Sequence, residues 1–346
     1  MMRRALALAE KGLFTATPNP RVGCVLTQGE RVVGDGWHEQ VGAPHAEANA
    51  LAAAGTAASG ATAYLNLEPC AHHGRTPPCA DALIAAGVAR VVAAMRDPNP
   101  EAGGGGARLA AAGVRFECGL LEEEARELNI GFVSRVTRGR PWVRMKIAAT
   151  LDGRTALANG KSQWITSTEA RNDGQHWRAR ACAILTGIGT VKADDPRLTV
   201  REIQTPRQPL RVVIDSRLET PPGARILQGG KVLLFCARKQ HKELDDAEIV
   251  ELPNSQGKVD LPAMLAELAR RGVNELHVEA GFKLNGSLVR EGCVDEMLLY
   301  LAPGFLGDTA QGMLDLAQMT SLEQRLRVTL RSVERVGEDL RIIARL

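Results

Sequence analysis

The sequence predicts two successive α/β domains, residues 1–138 and 139–346, and three observations lead there. At 346 residues the chain is long for one hydrophobic core and comfortable for two. Short apolar, strand-like runs alternate with helical pieces along both halves, as in sheets layered with helices. Between the halves, Arg138-Gly139-Arg140-Pro141 combines charge, Gly and Pro, the composition of a link rather than of an element.

The elements follow in order. Met1 to Lys11 reads as a helix ended by Gly12; its apolar stretch is too short, and too soon broken by Glu10 and Lys11, for a signal peptide. Val22–Leu26 and Arg31–Val33 form a hairpin through Gln28-Gly29-Glu30. A helix opens at His45, a strand spans Ala61–Leu67, and a second helix runs from Cys79 to Ala86. Strand Arg90–Met95, a helix near Arg108–Ala112, strand Val114–Glu117 and helix Glu122–Ile130 complete the first half. Gly103–Gly106 lacks the spacing of a dinucleotide fingerprint and reads as a flexible turn. In the second half, strands are expected at Trp142–Ala149, Ala183–Leu185, Arg211–Ile214, Lys231–Cys236, Leu276–Val278 and Met297–Leu301. Helices are expected at Thr168–Ala181, Leu261–Arg271 and Asn285–Glu291, and a terminal hairpin pairs Arg325–Val333 with Asp339–Leu346 through Gly337.

Composition narrows the function. Hydrophobic residues make up 45% and charged residues 24%, as in ordinary soluble globular proteins. A net charge of +3 and only 3% aromatics argue against a nucleic-acid stripe, a base-stacking platform or a membrane-binding surface. No apolar run reaches transmembrane length. The seven Cys are irregularly spaced, which is no disulfide framework, so a reducing cytoplasm is the expected compartment. Cys24, Cys118, Cys182, Cys236 and Cys293 lie in or beside apolar runs and read as structural thiols.

His45, Cys70 and Cys79 are different. Taken singly, each reads as a surface His or a buried small hydrophobe. Together the order His45-Ala46-Glu47, Pro69-Cys70, Pro78-Cys79 supplies one imidazole and two thiolates, three tetrahedral zinc ligands with the fourth position left for water. Zinc lowers the pKa of such a water towards neutrality. Glu47, which is not a ligand, can carry its proton to a departing amine. The general zinc-deaminase signature places two residues between its cysteines; here there are eight, Ala71 to Pro78. Both His45 and Cys79 open apolar runs after a proline, and helix N-termini there favour thiolate and negative oxygen.

The second half carries weaker signals. Thr186-Gly187-Ile188-Gly189-Thr190 leaves a strand through two glycines that let backbone N–H groups approach a phosphate. Asp194-Asp195-Pro196 then caps a turn, Glu279-Ala280-Gly281 leaves another strand, and Asn285-Gly286 precedes a helix N-terminus. Trp164, within Ser162–Thr166, either faces a flat ring or fills the core. The residues alone support a nucleotide-binding α/β domain behind a zinc deaminase.

Pro18-Asn19-Pro20-Arg21-Val22-Gly23-Cys24-Val25, Pro44-His45-Ala46-Glu47 and the whole segment Glu68 to Cys79 closely resemble the bifunctional deaminase/reductase family of riboflavin biosynthesis. Leu151-Asp152-Gly153-Arg154, Ser162 to Thr166, Thr186 to Leu198 and Val278-Glu279-Ala280-Gly281 resemble its reductase half, so the likeness covers nearly the whole chain. The resemblance implies a cytidine-deaminase-like α/β/α domain followed by a dihydrofolate-reductase-like α/β domain. It implies Zn2+ at His45, Cys70 and Cys79, Glu47 as proton shuttle, and a small phosphorylated pyrimidine as substrate. Asn19, His38, His72 and Arg75 would contact that substrate in the first domain, with Arg75 in the widened loop meeting ribose or phosphate. In the second, NADPH would lie against Ala148, Trp164, Thr190, Asp194, Ser216 and the run Gly281, Phe282, Lys283, Leu284, Asn285, Gly286 and Ser287. Ser162, Arg178, Leu198, Arg201 and Glu279 would hold the substrate, Arg178 and Arg201 as phosphate clamps. Arg217, beside Ser216, would read the extra phosphate of NADPH, and Lys146 and Asp152 would stand near the reacting carbon. A homo-oligomer is expected. Two other readings compete: a zinc deaminase for another base or nucleotide fused to a regulatory nucleotide-binding domain, and a non-catalytic zinc protein. The wide cysteine loop and the reductase motifs oppose the first; a three-ligand site with Glu47 beside it opposes the second, because structural zinc is usually closed by four ligands.

Overall fold

The computed structural model describes residues 1–72, 77–238, 244 and 246–346. The chain divides into two compact units, Met1–Gly139 and Arg140–Leu346. No helix among the described residues is long and apolar enough to cross a membrane.

The first unit is built from α1 (Met2–Glu10), β1 (Gly23–Gln28), β2 (Arg31–Trp37), α2 (Ala46–Ala54), β3 (Thr62–Leu65), α3 (Cys79–Ala85), β4 (Arg90–Ala93), α4 (Gly105–Ala111), β5 (Arg115–Cys118), α5 (Glu122–Leu128) and α6 (Ile130–Arg138). Its sheet runs β2-β1-β3-β4-β5. The β1–β2 hairpin and the β1–β3 pair are antiparallel, and β3, β4 and β5 are parallel. Alternate strand residues feed opposite faces. Cys24, Leu26, Ala63, Leu65 and Val91 pack under α2, α3 and α4 through Ala50, Leu83 and Leu109, while Val25 and Val92 pack against α1 and α5 through Ala5, Leu8 and Ala125. This is the expected α/β/α sandwich.

Two details differ from the sequence reading. The helix expected over Glu122–Ile130 breaks at Asn129, whose buried amide accepts from Arg21 N (2.8 Å) and donates to Arg21 O (2.9 Å); the chain then continues as α6. An asparagine committed to another segment's backbone interrupts a periodic pattern that would otherwise run on. The Gly103–Gly106 patch is no free turn either. Gly105 and Gly106 are buried and start α4, and a Cβ on Gly105 would overlap the Pro69 carbonyl oxygen.

The second unit contains β6 (Trp142–Thr150), β7 (Arg154–Ala156), α7 (Thr168–Arg180), β8 (Ala183–Gly187), α8 (Ile188–Asp194), β9 (Leu210–Ile214), β10 (Val232–Cys236), β11 (Ala247–Glu251), α9 (Leu261–Arg270), β12 (Glu275–Val278), α10 (Phe282–Arg290), β13 (Glu296–Ala302), β14 (Gln311–Gly312), β15 (Thr329–Val336) and β16 (Asp339–Arg345). Its main sheet runs β11-β10-β9-β8-β12-β6-β13-β16-β15. It is parallel from β11 to β13 and closed by the antiparallel terminal hairpin. One face packs on α9 and α10 through Met264, Leu265, Leu268 and Leu288; the other packs on α8 through Val191 and on α7 through Ala170 and Trp177.

The helix α8 was not legible, since a glycine and three β-branched residues in seven, behind the N-cap Gly187, argue for a loop. The last helix begins at Phe282, three residues before Asn285, with Gly281 as its N-cap. Asn285 is therefore inside α10, buried and donating to Ala280 O (3.1 Å), rather than at the helix start as expected.

Candidate active sites

The ends of three elements build the first site. His45 is the N-cap of α2, and Glu47 stands in its first turn. That helix lies directly on β2, where a Cβ on Gly36 would overlap Asn49 and the backbone of Ala46 and Ala50. Cys70 follows the end of β3, and Cys79 opens α3 with its own N–H donating to Cys70 Sγ (3.3 Å). His45 Nδ1 lies 3.2 Å from Cys79 Sγ and 3.8 Å from Cys70 Sγ, and all three donor atoms lie within 4.8 Å of one another. Tetrahedral zinc with N and S ligands has edges of about 3.5–3.8 Å, so this donor set fits the ion. The Cys70 thiol falls to about 4, chiefly because the Cys79 thiol donates to it, while Cys79, holding that shared proton, is pushed up. The neighbouring Cys70 raises His45. Burial pushes the Glu47 carboxyl above the ordinary carboxylate range, and Cys70 adds to it.

His45, Glu47 and Cys70 line a cavity of about 470 Å³ together with Asn19, His38 and His72. His38 is buried, and both its ring nitrogens are engaged: Nδ1 donates to Pro44 O (3.2 Å) and Nε2 accepts from Asn19 Nδ2 (3.0 Å). Burial lowers its pKa, so it stands in the wall as a neutral ring that orients Asn19 rather than as a cation. Arg75 lies outside the described residues. Asp97, Asn99, Phe132 and Arg135 also line the cavity, and the sequence reading missed them. The legible signal was Asp97-Pro98-Asn99-Pro100, a turn-rich stretch just beyond a strand, where loops carry function. Burial raises Asp97 to about 6, with Glu68 adding to the shift.

In the second unit the expected cofactor residues gather where parallel strands end. Ala148 lies near the end of β6, Thr190 follows β8 in α8, Ser216 follows β9, and Gly281 caps α10 after β12. Ligands of open α/β sheets sit outside such carboxyl ends. Thr186 Oγ1 donates to Glu279 O (2.7 Å), tying the β8 and β12 loops together. The Gly281 Cβ position lies 3.7 Å from Thr190 Oγ1, and Leu284 packs on Gly187. Small residues therefore line two adjoining loops beneath the N-terminus of a nine-residue helix, whose first amides at Phe282, Lys283 and Leu284 can receive a phosphate. The oxygen of buried Asn285 has no protein partner. This cradle fits a dinucleotide. Trp164 is 71% exposed, which excludes the core alternative, and Arg171 stacks 4.7 Å from its ring. Burial raises Asp194 while a hydrogen bond with Gln163 opposes the shift, so the Ser162–Trp164 segment adjoins α8. Ser216 Oγ accepts from Val259 N (3.2 Å), Ser287 Oγ donates to Lys283 O (3.2 Å), and Arg217 is exposed near Glu219.

Arg178 does not present an empty fork: Nε and Nη2 reach Glu279 Oε1 and Oε2 at 2.5 and 2.7 Å, and Nη1 donates to Thr199 O (3.0 Å). Two of its five N–H bonds remain for a further acceptor. Burial pushes the Glu279 carboxyl up, yet the Arg178 charge holds it well below the usual range. Arg201 is exposed, and its N–H donates to Gln175 Oε1 (2.9 Å), one turn before Arg178 on α7. Leu198 is buried with Ile184 and Val213, so its side chain shapes the floor from beneath. Asp152 accepts from Thr150 Oγ1 (2.5 Å) and from the N–H groups of Leu306 and Gly307, holding that loop in place. Lys146 is half-buried and its pKa is lowered, chiefly by desolvation, with Nζ 5.8 Å from the Tyr300 ring.

Comparison with known proteins agrees with both halves. Residues 141–342 match the family described as RibD C-terminal domain, and residues 1–95 match the cytidine and deoxycytidylate deaminase zinc-binding region. The riboflavin biosynthesis protein RibD of Escherichia coli (strain K12) is 47% identical over 355 residues, covering 98% of this chain and 96% of that one. Its counterpart in Aquifex aeolicus is 42% identical over 344 residues, covering 98% and 96%. The Acinetobacter baumannii RibD structure superposes with a TM-score of 0.93 at 42% identity, covering 99% of this chain and 97% of that chain. A Thermotoga maritima diaminohydroxyphosphoribosylaminopyrimidine deaminase/5-amino-6-(5-phosphoribosylamino)uracil reductase gives 0.90 at 32% identity, covering 99% and 97%. The chain therefore belongs to the RibD family, the bifunctional deaminase–reductases of riboflavin biosynthesis, with a cytidine-deaminase-like first domain and a dihydrofolate-reductase-like second one.

Proposed function

We propose that the first domain hydrolyses the ring amine of diaminohydroxyphosphoribosylaminopyrimidine, and that the second reduces the ribosyl side chain of the product to ribityl with NADPH. The observation that carries this reading is the gathering of His45, Cys70 and Cys79 beside buried Glu47, with His45, Glu47 and Cys70 lining one cavity. His45, Cys70 and Cys79 would hold zinc, which when bound activates water near neutral pH. Glu47 carries the proton from the attacking water to the departing amine, so that water enters and ammonia leaves. Asn19, its amide oriented by His38, keeps its carbonyl oxygen and one N–H for the base edge. His72 and Arg75 serve the ribose or phosphate.

In the second domain, NADPH when bound supplies the hydride. Gly281, Phe282, Lys283 and Leu284, with Thr190, receive its phosphates. Asn285, Gly286 and Ser287 pack the first turns of α10 behind them. Ala148, Trp164, Asp194 and Ser216 border the rest of the dinucleotide. Ser162, Leu198, Arg201 and the Arg178–Glu279 pair hold the substrate. Arg201 carries the open guanidinium, and Glu279 fixes that of Arg178. Following ammonia release and NADPH oxidation as separate signals tests the assignment.

The chain assembles as a homo-oligomer through the terminal hairpin. Leu330 and Val333 of β15 are 61% and 54% exposed; with Leu340 of β16 they form an apolar surface of the kind that marks protein contacts. Sedimentation at micromolar concentration should show a species larger than one chain, and a lone monomer would remove this part.

A further inference from the structure

Beyond the groups that meet metal or base, the first domain contains a buried carboxylate with no part in the chemistry above. Glu68 precedes Pro69-Cys70, and only 2% of its side chain is exposed. Its Oε1 accepts from Gly106 N (2.8 Å) and Arg96 Nη1 (3.4 Å), and its Oε2 accepts from Asp97 N (3.1 Å). All three donors lie beyond β4. More contacts join the same two segments: Ala71 N donates to Ala102 O (3.0 Å), and Gly105 sits against the Pro69 carbonyl with no room for a Cβ. One segment carries Cys70. The other carries Asp97 and Asn99, which line the same cavity.

We propose that Glu68 is a positioning residue that sets the distance between the metal ligand Cys70 and the cavity wall at Asp97 and Asn99. The inference rests on the deaminase reading of the first domain. A carboxylate suits the task because it is acceptor-only and takes a backbone N–H on each oxygen at once. A carboxamide cannot, since its NH2 would face one of the two donors. Supporting groups of this kind typically alter metal affinity by about 10–100-fold when removed.

The test uses full-length protein. In Glu68→Gln, zinc release to a chelator should be about 10-fold faster, and KM for deamination of zinc-saturated protein should rise by more than kcat falls. Gly105→Ala, which strains the same junction from the opposite segment, should do likewise. NADPH oxidation with the deaminated substrate controls for the second unit, and circular dichroism of the same samples reports that the first is folded. Wild-type zinc-release times and KM in both variants overturn the proposal. Wild-type protein that takes up no zinc, or releases no ammonia with zinc bound, would instead sink the deaminase reading itself.

Discussion

Glu47→Gln is expected to slow ammonia release by about 10²–10⁴-fold, the usual contribution of a positioned acid–base group, while zinc content stays at the wild-type level. The two halves of that expectation have separate causes. Gln keeps the shape of Glu in a buried first turn of α2, so the helix should still present His45 to the two sulfurs. It cannot accept and return a proton, and burial that already favours the protonated carboxyl makes Glu47 fit to do both. Metal analysis and a discontinuous ammonia assay on one preparation check both halves. NADPH oxidation with already deaminated substrate should be unchanged. A zinc-loaded variant with full turnover would remove Glu47 from the mechanism.

The second large effect is expected at Arg178. In Arg178→Ala the Glu279 carboxylate loses a bidentate partner at 2.5 and 2.7 Å while both side chains are largely buried, at 13% and 18% exposure. Breaking a buried pair from one side typically costs about 3–5 kcal/mol, because the remaining charge is left uncompensated. The unfolding transition of the second unit should therefore move to lower denaturant, and reductase activity should fall with it, while ammonia release persists. Arg178→Lys should recover part of the stability but less of the activity, since an ammonium lacks the planar fork. Unaltered stability with only a raised KM would mean that Arg178 serves the substrate alone.

The grouping of the first site's residues was legible because they are both rare in such an order and close in sequence. His45, Glu47, Cys70 and Cys79 fall at helix starts and a strand end that proline and periodicity announce. The alternation of elements likewise announced two α/β units, with β3, β4 and β5 parallel in the first and the sheet parallel from β11 to β13 in the second. What escaped depends on partners distant in sequence. The break at Asn129 is made by Arg21, and the occupied fork of Arg178 by Glu279. The burial of Gly105 and Gly106 is set by Pro69 and Phe116. In each case the local sequence is compatible with the looser reading, and only the tertiary neighbour decides. His38 shows the same limit: as a residue type it can be a cation, but Asn19 and Pro44 take up both ring nitrogens.

One chain of this family carries deamination and then reduction. The most direct measurement supplies the phosphorylated diaminopyrimidine and NADPH to the wild-type protein and records ammonia and NADPH as independent time courses. Ammonia should appear first, with NADPH oxidation following after a lag and reaching the same final amount. NADPH oxidation without ammonia, or ammonia release that never consumes NADPH, would contradict it.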